Sequence, residues 1–345
     1  MSKQGTVAQR AVKTRRPRGD AILVRTSERQ SFLTCRQQWY WSWVEHLRAP
    51  GTSTALFFGD LVHQALAAYY IPGKKRGPKP AESFQELYRL SVQVEKIWDP
   101  DLEEKVDLLE MGVNMLERYV EHWKEPDKEY RIIASEQHFS VPIGTFNGKR
   151  VWYVGTVDGV WQHIPTGKIR FAEHKTAAAI SRDALALNEQ VGAYWTFAPR
   201  WLRMKGILGR DEKIDGIIYN WLRKTIRDPD ASWDELGRRL NKDGSVSKRQ
   251  PPKYFDRELT FRGHVEAERV KQRVRNEVLD MMAAADDPDR FVYKNPGPQF
   301  KPNCSFCQFR DMCELHETGN DWESFKHHAF GTWTPYEAHE RIERY

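Results

Sequence analysis

The sequence predicts an α/β fold, a strand-rich core held between helical segments. Three observations carry that reading. Residues 131–221 contain short apolar runs of strand length, separated by turn signals. A single helical stretch interrupts them before the last run, so the order is strands, helix, strand, which calls for one crossover. The segments on either side repeat apolar residues every three or four positions instead.

Taken in order, residues 28–48 mix aromatics and charges at helical spacing and contain Cys35. Thr54 to Tyr70 reads as a helix carrying His63, and Pro72 to Pro80 as a basic Pro/Gly loop. Residues 81–125 look helical. Arg131 to Pro142 reads as a strand containing Glu136, and Asn147-Gly148 marks a tight turn. Val151 to His163 and Lys168 to Lys175 are strand-like, on either side of a turn at Pro165, Thr166 and Gly167. Residues 183–206 form a helix candidate, and Ile214 to Trp221 a further strand. Arg227 to Pro252 turns polar and reads as an insertion or loop, followed by a strand at Tyr254 to Phe261 and a helix at Val265 to Ala284. These boundaries divide the chain into a basic tail (1–20), one domain (21–315, with its core at about 131–225) and a C-terminal extension (316–345).

At 345 residues with 40% hydrophobic content, the chain buries a sizeable core and falls outside the disordered class. Its formal charge of +6 favours a polyanionic partner modestly. No run approaches the ~18 apolar residues of a membrane span, and Met1 to Asp20 lacks the apolar core of a secretory signal. A cytoplasmic protein with four cysteines is expected, and there such residues ligate metal or lie buried rather than form disulfides.

The chemistry concentrates at Asp158 and at Glu173, His174 and Lys175. Side chains alternate faces along a strand, so Glu173 and Lys175 point one way and His174 the other. A hairpin through residues 165–167 brings Asp158 towards Glu173, and two carboxylates suit a hard cation, Mg²⁺ or Mn²⁺. The His174 carbonyl would offer a further oxygen. Phosphodiester hydrolysis needs an activated water and charge stabilisation, which a metal supplies, and a lysine beside it offsets developing negative charge. An isolated Glu-x-Lys is more often an incidental surface pair; the upstream Gly155-x-x-Asp158 raises its weight. His63, in Gly59-x-x-x-His63, reads alone as a packed core histidine. Gln190 and Tyr194, four apart on the following helix, share one face.

Together these motifs resemble the RecB-type branch of the PD-(D/E)XK nuclease superfamily. That family's ordered pattern is met by Gly59 to His63, Glu136, Gly155 to Asp158, Glu173 to Lys175, and Gln190 to Tyr194, over roughly residues 28–225. The resemblance implies a restriction-endonuclease-like mixed sheet flanked by helices. It also implies His63, Asp158 and Glu173 as metal ligands and Lys175 as the catalytic lysine, with Gln190 and Tyr194 placing the site or the DNA. Glu136 is the weakest correspondence, a residue that supports the site from a neighbouring strand.

Cys304, Cys307 and Cys313 lie close together in sequence, and Cys35 lies far away. Three thiolates cannot complete four-coordinate ligation, and Cys35 is the evident distant fourth. This one-plus-three arrangement resembles the Fe–S nucleases of the same superfamily, of the CRISPR-associated and AddB types. It implies a 4Fe–4S cluster that closes the helical region around Cys35 and residues 300–315. The competing reading is a local zinc site, with His316 joining the three clustered cysteines.

The aromatic run Trp39, Tyr40, Trp41 and Trp43 reads as packing rather than base stacking, and Lys248, Arg249 and Lys253 as either solvated charges or backbone contacts. No phosphate-binding Gly-x-x-x-x-Gly-Lys-Ser/Thr motif occurs, so ATP-driven unwinding would come from a helicase or recombinase partner. The expectation is a stand-alone, metal-dependent exonuclease acting on DNA ends, single-stranded or duplex, in recombination or repair, in a compact design that suits a phage or prokaryotic origin. Two alternatives stand beside it. One is a DNA end-capturing module with a vestigial site. The other is a CRISPR spacer-processing nuclease working beside an integrase.

Overall fold

Helical segments come first in the computed structural model, which describes residues 21–94, 97–98, 107–183, 185–226, 231–235, 237–300 and 302–337. The basic tail expected at 1–20 lies outside them, as do residues 338–345 of the extension and 227–230 and 236 of the insertion. After a short strand β1 (Ile22–Val24) come α1 (Thr26–Thr34), α2 (Arg36–Trp39) and a π-turn (Tyr40–Val44). Two short strands, β2 (Leu47–Arg48) and β3 (Thr52–Ser53), lead to α3 (Thr54–Tyr69), α4 (Pro80–Val94), β4 (Ile97–Trp98) and α5 (Leu108–Trp123). The stretch at 81–125, read as helical, holds the two helices α4 and α5 with β4 between them. Asp107 starts the second by accepting the backbone N–H groups of Leu109 and Glu110.

The core follows: β5 (Tyr130–Phe146), β6 (Lys149–His163), β7 (Ile169–Ala177), α6 (Glu189–Met204), β8 (Ile214–Arg223) and β9 (Phe255–Thr260). The helix expected from residue 183 begins at Glu189, because Asn188 caps it by accepting the Val191 N–H at 3.1 Å. Then come α7 (His264–Asp286), α8 (Pro288–Phe291), α9 (Arg310–Thr318), α10 (Trp322–Ala329) and β10 (Gly331–Thr332).

Six strands make one mixed sheet in the order β1-β6-β7-β8-β9, with β5 on the other flank of β6. β7 and β8 run parallel, joined through α6, and β5–β6 and β6–β7 are antiparallel. Helices α6 and α7 cover one face over a core that includes Tyr153, Phe171, Val191 and Tyr219. Helices α3, α4 and α5 cover the other over Phe58, Leu61, Trp161 and Leu222. This is a mixed α/β sheet flanked by helices, as the sequence predicts.

One irregularity positions the site. β1 pairs with residues 151–153 of β6, while β7 pairs with residues 159–162 on the same flank. Residues 154–158 lie between these two partners, so the sheet opens there. Asp158 sits at the edge of the opening.

The C-terminal extension folds back over the N-terminal helices. β10 pairs with β2, Trp333 donates its indole N–H to the Ser42 carbonyl at 2.8 Å, and Tyr336 hydrogen-bonds Glu28. The division between 315 and 316 falls inside α9. The aromatic run is packing, as read: Trp39 and Trp41 are buried, and Trp41 lies against Phe309.

Candidate metal centre and cysteine cluster

Three carboxylates stand in one row across the sheet. Glu136 falls opposite Asp158, between the pairs Ser135↔Gly159 and Gln137↔Val157. On the other side the β6–β7 ladder ends at Gly159↔Ala172, one step before Asp158 would face Glu173. The strands part there, and Asp158 Oδ2 accepts the His174 backbone N–H at 2.7 Å. A side chain thus satisfies a donor that the ladder has released.

Glu136 is held in an unusual backbone state, with φ of 46° inside a strand. Non-glycine residues seldom adopt it, and such strain costs about 1–3 kcal/mol and collects at functional sites. Gln137 spans the distortion by donating to the Ser135 carbonyl at 2.7 Å.

His63 arrives from α3. The helix buries Phe57, Phe58, Leu61, Val62, Ala65 and Leu66 against the sheet. Gly59 faces Thr176 of β7 across this contact, where a Cβ would stand 3.6 Å from Oγ1, an ordinary packing distance. His63 Nδ1 lies 3.4 Å from Asp158 Oδ1. Donor atoms of His63, Glu136 and Asp158 all lie within 4.8 Å of one another. Glu136, the weakest correspondence in the sequence, is therefore a full member of the tightest donor set.

Glu173 sits beside that set and reaches Lys175, with Oε1 2.6 Å from Nζ. The approach is oblique, and this buried oxygen receives no aligned hydrogen bond. It keeps capacity for a cation. Lys175 Nζ also donates to Gln190 Oε1 at 3.0 Å, and Gln190 Nε2 donates to the Tyr194 hydroxyl at 3.2 Å. The Glu173–Lys175–Gln190–Tyr194 chain thus links β7 to α6. His174 points the opposite way, stacked on Tyr70 with centroids 5.7 Å apart, so ligation from this residue falls to its main-chain carbonyl.

The charges are out of balance. Burial, then the Asp158 charge, raise Glu136 and Glu173 to about 7. Burial opposes charge on His63, but Asp158 outweighs it and raises the imidazole to about 9. Asp158 is buried too, yet His63 holds it down at about 2. Lys175 is raised because Glu173 outweighs its desolvation. Burial drives His174 down to about 3, so its ring is neutral. Carboxylates this close ionise together only with added positive charge, and the oxygen-rich set with one imidazole suits a divalent cation such as Mg²⁺ or Mn²⁺.

Two residues that the sequence reading passed over hold this arrangement from behind. Asn220 on β8 is fully buried and donates to His174 Nδ1 at 2.8 Å and to the Tyr119 hydroxyl at 2.6 Å. Arg257 on β9 donates to Asn220 Oδ1 at 3.0 Å and pairs with Asp127 Oδ1 at 2.5 Å. The polar chain runs from Asp127 to the residue whose N–H binds Asp158. No short-range motif marks it, because its members lie on four different elements.

The four cysteines gather at the far end of α1. Cys35 falls in the extended break between α1 and α2, not within a helix as read, and its Sγ accepts the Asn295 N–H at 3.3 Å. Burial pushes the Cys307 thiol up to about 11, and the sulfurs of Cys35, Cys304 and Cys313 add to the rise. Cys313 is raised by burial and then by Cys35. Two buried thiols whose ionisation is opposed by the sulfurs around them fit a cation or cluster shared with those neighbours. His316 instead turns its ring to Trp41 and Trp322, at centroid distances of 6.0 and 5.1 Å.

Among solved structures, a crystal structure of a "Putative exonuclease" from Eubacterium rectale is similar over 85% of this chain and 87% of that one, at 12% identity and a TM-score of 0.45. No curated protein matches the chain. The profile of the PD-(D/E)XK nuclease superfamily matches residues 26–314. That span holds the donor set, the Glu173–Lys175 pair and all four cysteines, and the chain belongs to the PD-(D/E)XK nuclease superfamily.

Proposed function

We propose that this protein is a metal-dependent DNA exonuclease of the RecB-like, Fe–S-containing class, acting on DNA ends in recombination or repair. The observation that carries the reading is the convergence of His63, Glu136 and Asp158 within 4.8 Å, with the Glu173–Lys175 pair beside them. Enzymes of this superfamily use divalent metals, and the donor set suits one.

His63, Asp158 and Glu173 would hold the metal, joined by Glu136 and by the His174 carbonyl. When bound, it polarises the phosphodiester and lowers the pKa of a coordinated water. The chain's own residues do the rest. Lys175 stays protonated at neutral pH, so it stabilises negative charge and donates, rather than accepts, protons. Gln190 fixes the direction of the ammonium, and Tyr194 fixes Gln190. The presence of both Asp158 and Lys175 argues against a vestigial, purely DNA-binding site.

Cys35, Cys304, Cys307 and Cys313 would hold a 4Fe–4S cluster that joins the α1–α2 break to α9 and the segment before it. The thiol environment supports it. The packing of His316 against Trp41 and Trp322 weighs against the zinc alternative.

The test is a cleavage assay on end-labelled single-stranded and duplex DNA, with a closed circular control, in Mg²⁺ or Mn²⁺. The expected result is end-dependent cleavage that excess EDTA abolishes. Undiminished cleavage in chelator would refute the metal reading, and cutting of the circular control would refute the exonuclease reading.

A further inference from the structure

Away from the metal centre, a cleft of about 1160 Å³ opens between the end of β5, the second half of α6 and the first half of α7. Its lining includes Val141, Phe146 and Phe197, all buried apolar side chains, and the exposed residues Arg200, Arg269 and Arg275. Arg200 and Arg269 make no ion pair among the described residues. Arg275 lies over the Phe146 ring, 5.8 Å from its centroid. The cleft's Lys271 is neutralised by Glu268 at 2.7 Å. Among the described residues the three guanidinium groups are therefore left without a counter-charge, above an apolar floor. Arginine is the side chain best matched to phosphate, through two parallel N–H donors.

The cleft is built on rigid elements that also carry the candidate site. From Gln190 to Arg200 is ten residues of α6, about 15 Å at 1.5 Å per residue. From Glu136 to Val141 is five residues of β5, about 16 Å at 3.3 Å per residue. The first cleft arginine on α6 and the first cleft residue on β5 thus lie at similar distances along their elements from Gln190, the partner of Lys175, and from Glu136. At 3.4 Å per stacked nucleotide, that offset is about four to five nucleotides.

We propose that this cleft seats the backbone of a single DNA strand, with Arg200, Arg269 and Arg275 on its phosphates, about four to five nucleotides from the scissile bond. The proposal rests on the nuclease reading for its substrate. It adds a second contact zone, which a short oligonucleotide cannot reach. Its volume slightly exceeds the ~300–1,000 Å³ of small-ligand pockets, room for a few nucleotides of one strand.

The experiment uses the full chain with Arg200→Glu and Arg269→Glu combined, Arg275→Glu alone, and the milder Arg200→Gln with Arg269→Gln. All three change exposed side chains, and thermal melts confirm that each variant folds. Binding of fluorescein-labelled oligo-dT of 4 and 20 nucleotides is followed by anisotropy in EDTA, and hydrolysis of both in Mn²⁺. The double charge reversal should weaken binding of the 20-mer at least tenfold. It should also reduce its salt dependence by about 1.4 in log–log slope, ~0.7 for each lost phosphate contact. The 4-mer should bind and be cut as by the parent. Equal losses on both lengths, or no loss on the 20-mer, overturn the proposal. So does closed circular duplex or poly-glutamate displacing the 20-mer as well as unlabelled oligo-dT does. If the parent cuts neither substrate, the nuclease reading has failed, while the anisotropy arms still decide whether the cleft holds DNA.

Discussion

Lys175 is held from two sides, by Glu173 at 2.6 Å and by Gln190 at 3.0 Å. Its removal should therefore be felt in chemistry more than in fold. Lys175→Ala is expected to slow cleavage on the order of a hundredfold, about 2.7 kcal/mol of barrier, with Mn²⁺ affinity retained. Asp158→Ala should lose a similar factor together with metal affinity, which titration calorimetry separates from the lysine effect. Near-normal turnover by both variants would sink the assignment. The protonation states give a second test. Glu136 and Glu173 rise from 4.5 to about 7, and His63 from 6.5 to about 9. A raised carboxyl binds its proton more tightly when folded. The metal-free protein therefore loses stability from these two acids as pH climbs from about 4.5 to 7. The His63 contribution is whole below pH 6.5 and lost as pH passes about 9. A divalent cation displaces the same protons, so its affinity should rise about tenfold or more between pH 6 and 8. An affinity flat over that interval would mean that the protonated cluster is not the metal site.

At the scale of elements, α6 reaches the sheet through Gly155, whose Cβ would come within 2.7 Å of Tyr194 and 2.9 Å of Phe139. Gly155→Ala should destabilise the protein by about 1–3 kcal/mol, as overpacking does, and displace the Tyr194–Gln190 pair. A melting temperature unchanged from the parent's would show that the two rings have room to move. The polar chain behind β7 makes a contrasting case. Asn220→Ala leaves the His174 ring nitrogen without its partner and removes one of the acceptors of Arg257, which costs about 1–3 kcal/mol for a buried group. Because His174 also donates to Asp158, the variant should weaken Mn²⁺ binding as well as lower stability. A drop in stability with metal affinity intact would make the network purely structural.

At the scale of the whole molecule, the four cysteines lie at positions 35 and 304–313, so a ligand shared among them would close a loop of most of the chain. Loop closure of that length restricts the unfolded state strongly. The anaerobically purified protein should be brown, with broad absorbance near 400 nm and about four irons per chain. Cys35→Ala should bleach it and lower its melting temperature, although β6 and β7 are untouched. A colourless, zinc-replete protein that tolerates Cys35→Ala and is damaged by His316→Ala would decide for zinc. The extension ties the same two ends together, since β10, Trp333 and Tyr336 all bond to residues between Glu28 and Arg48.

The sequence by itself determined the order of the core strands, the helix between them and the motif residues. Strand period, turn chemistry and fixed motif spacing are short-range properties. Glu173, Lys175, Gln190 and Tyr194 stood out through the order of the motifs and the family it resembles, not through any one spacing. What only the tertiary structure decided depends on residues distant in the chain. Glu136 became an equal member of the donor set because a strained residue of β5 lies opposite Asp158, and no local pattern encodes that strain. The opening beside Asp158 exists because β1, more than a hundred residues away, takes part of the β6 edge that β7 leaves free. The α1–α2 break at Cys35, and Asn220 and Arg257 behind His174, are likewise set by packing partners. Periodicity records which face a residue shows; it does not record what meets that face.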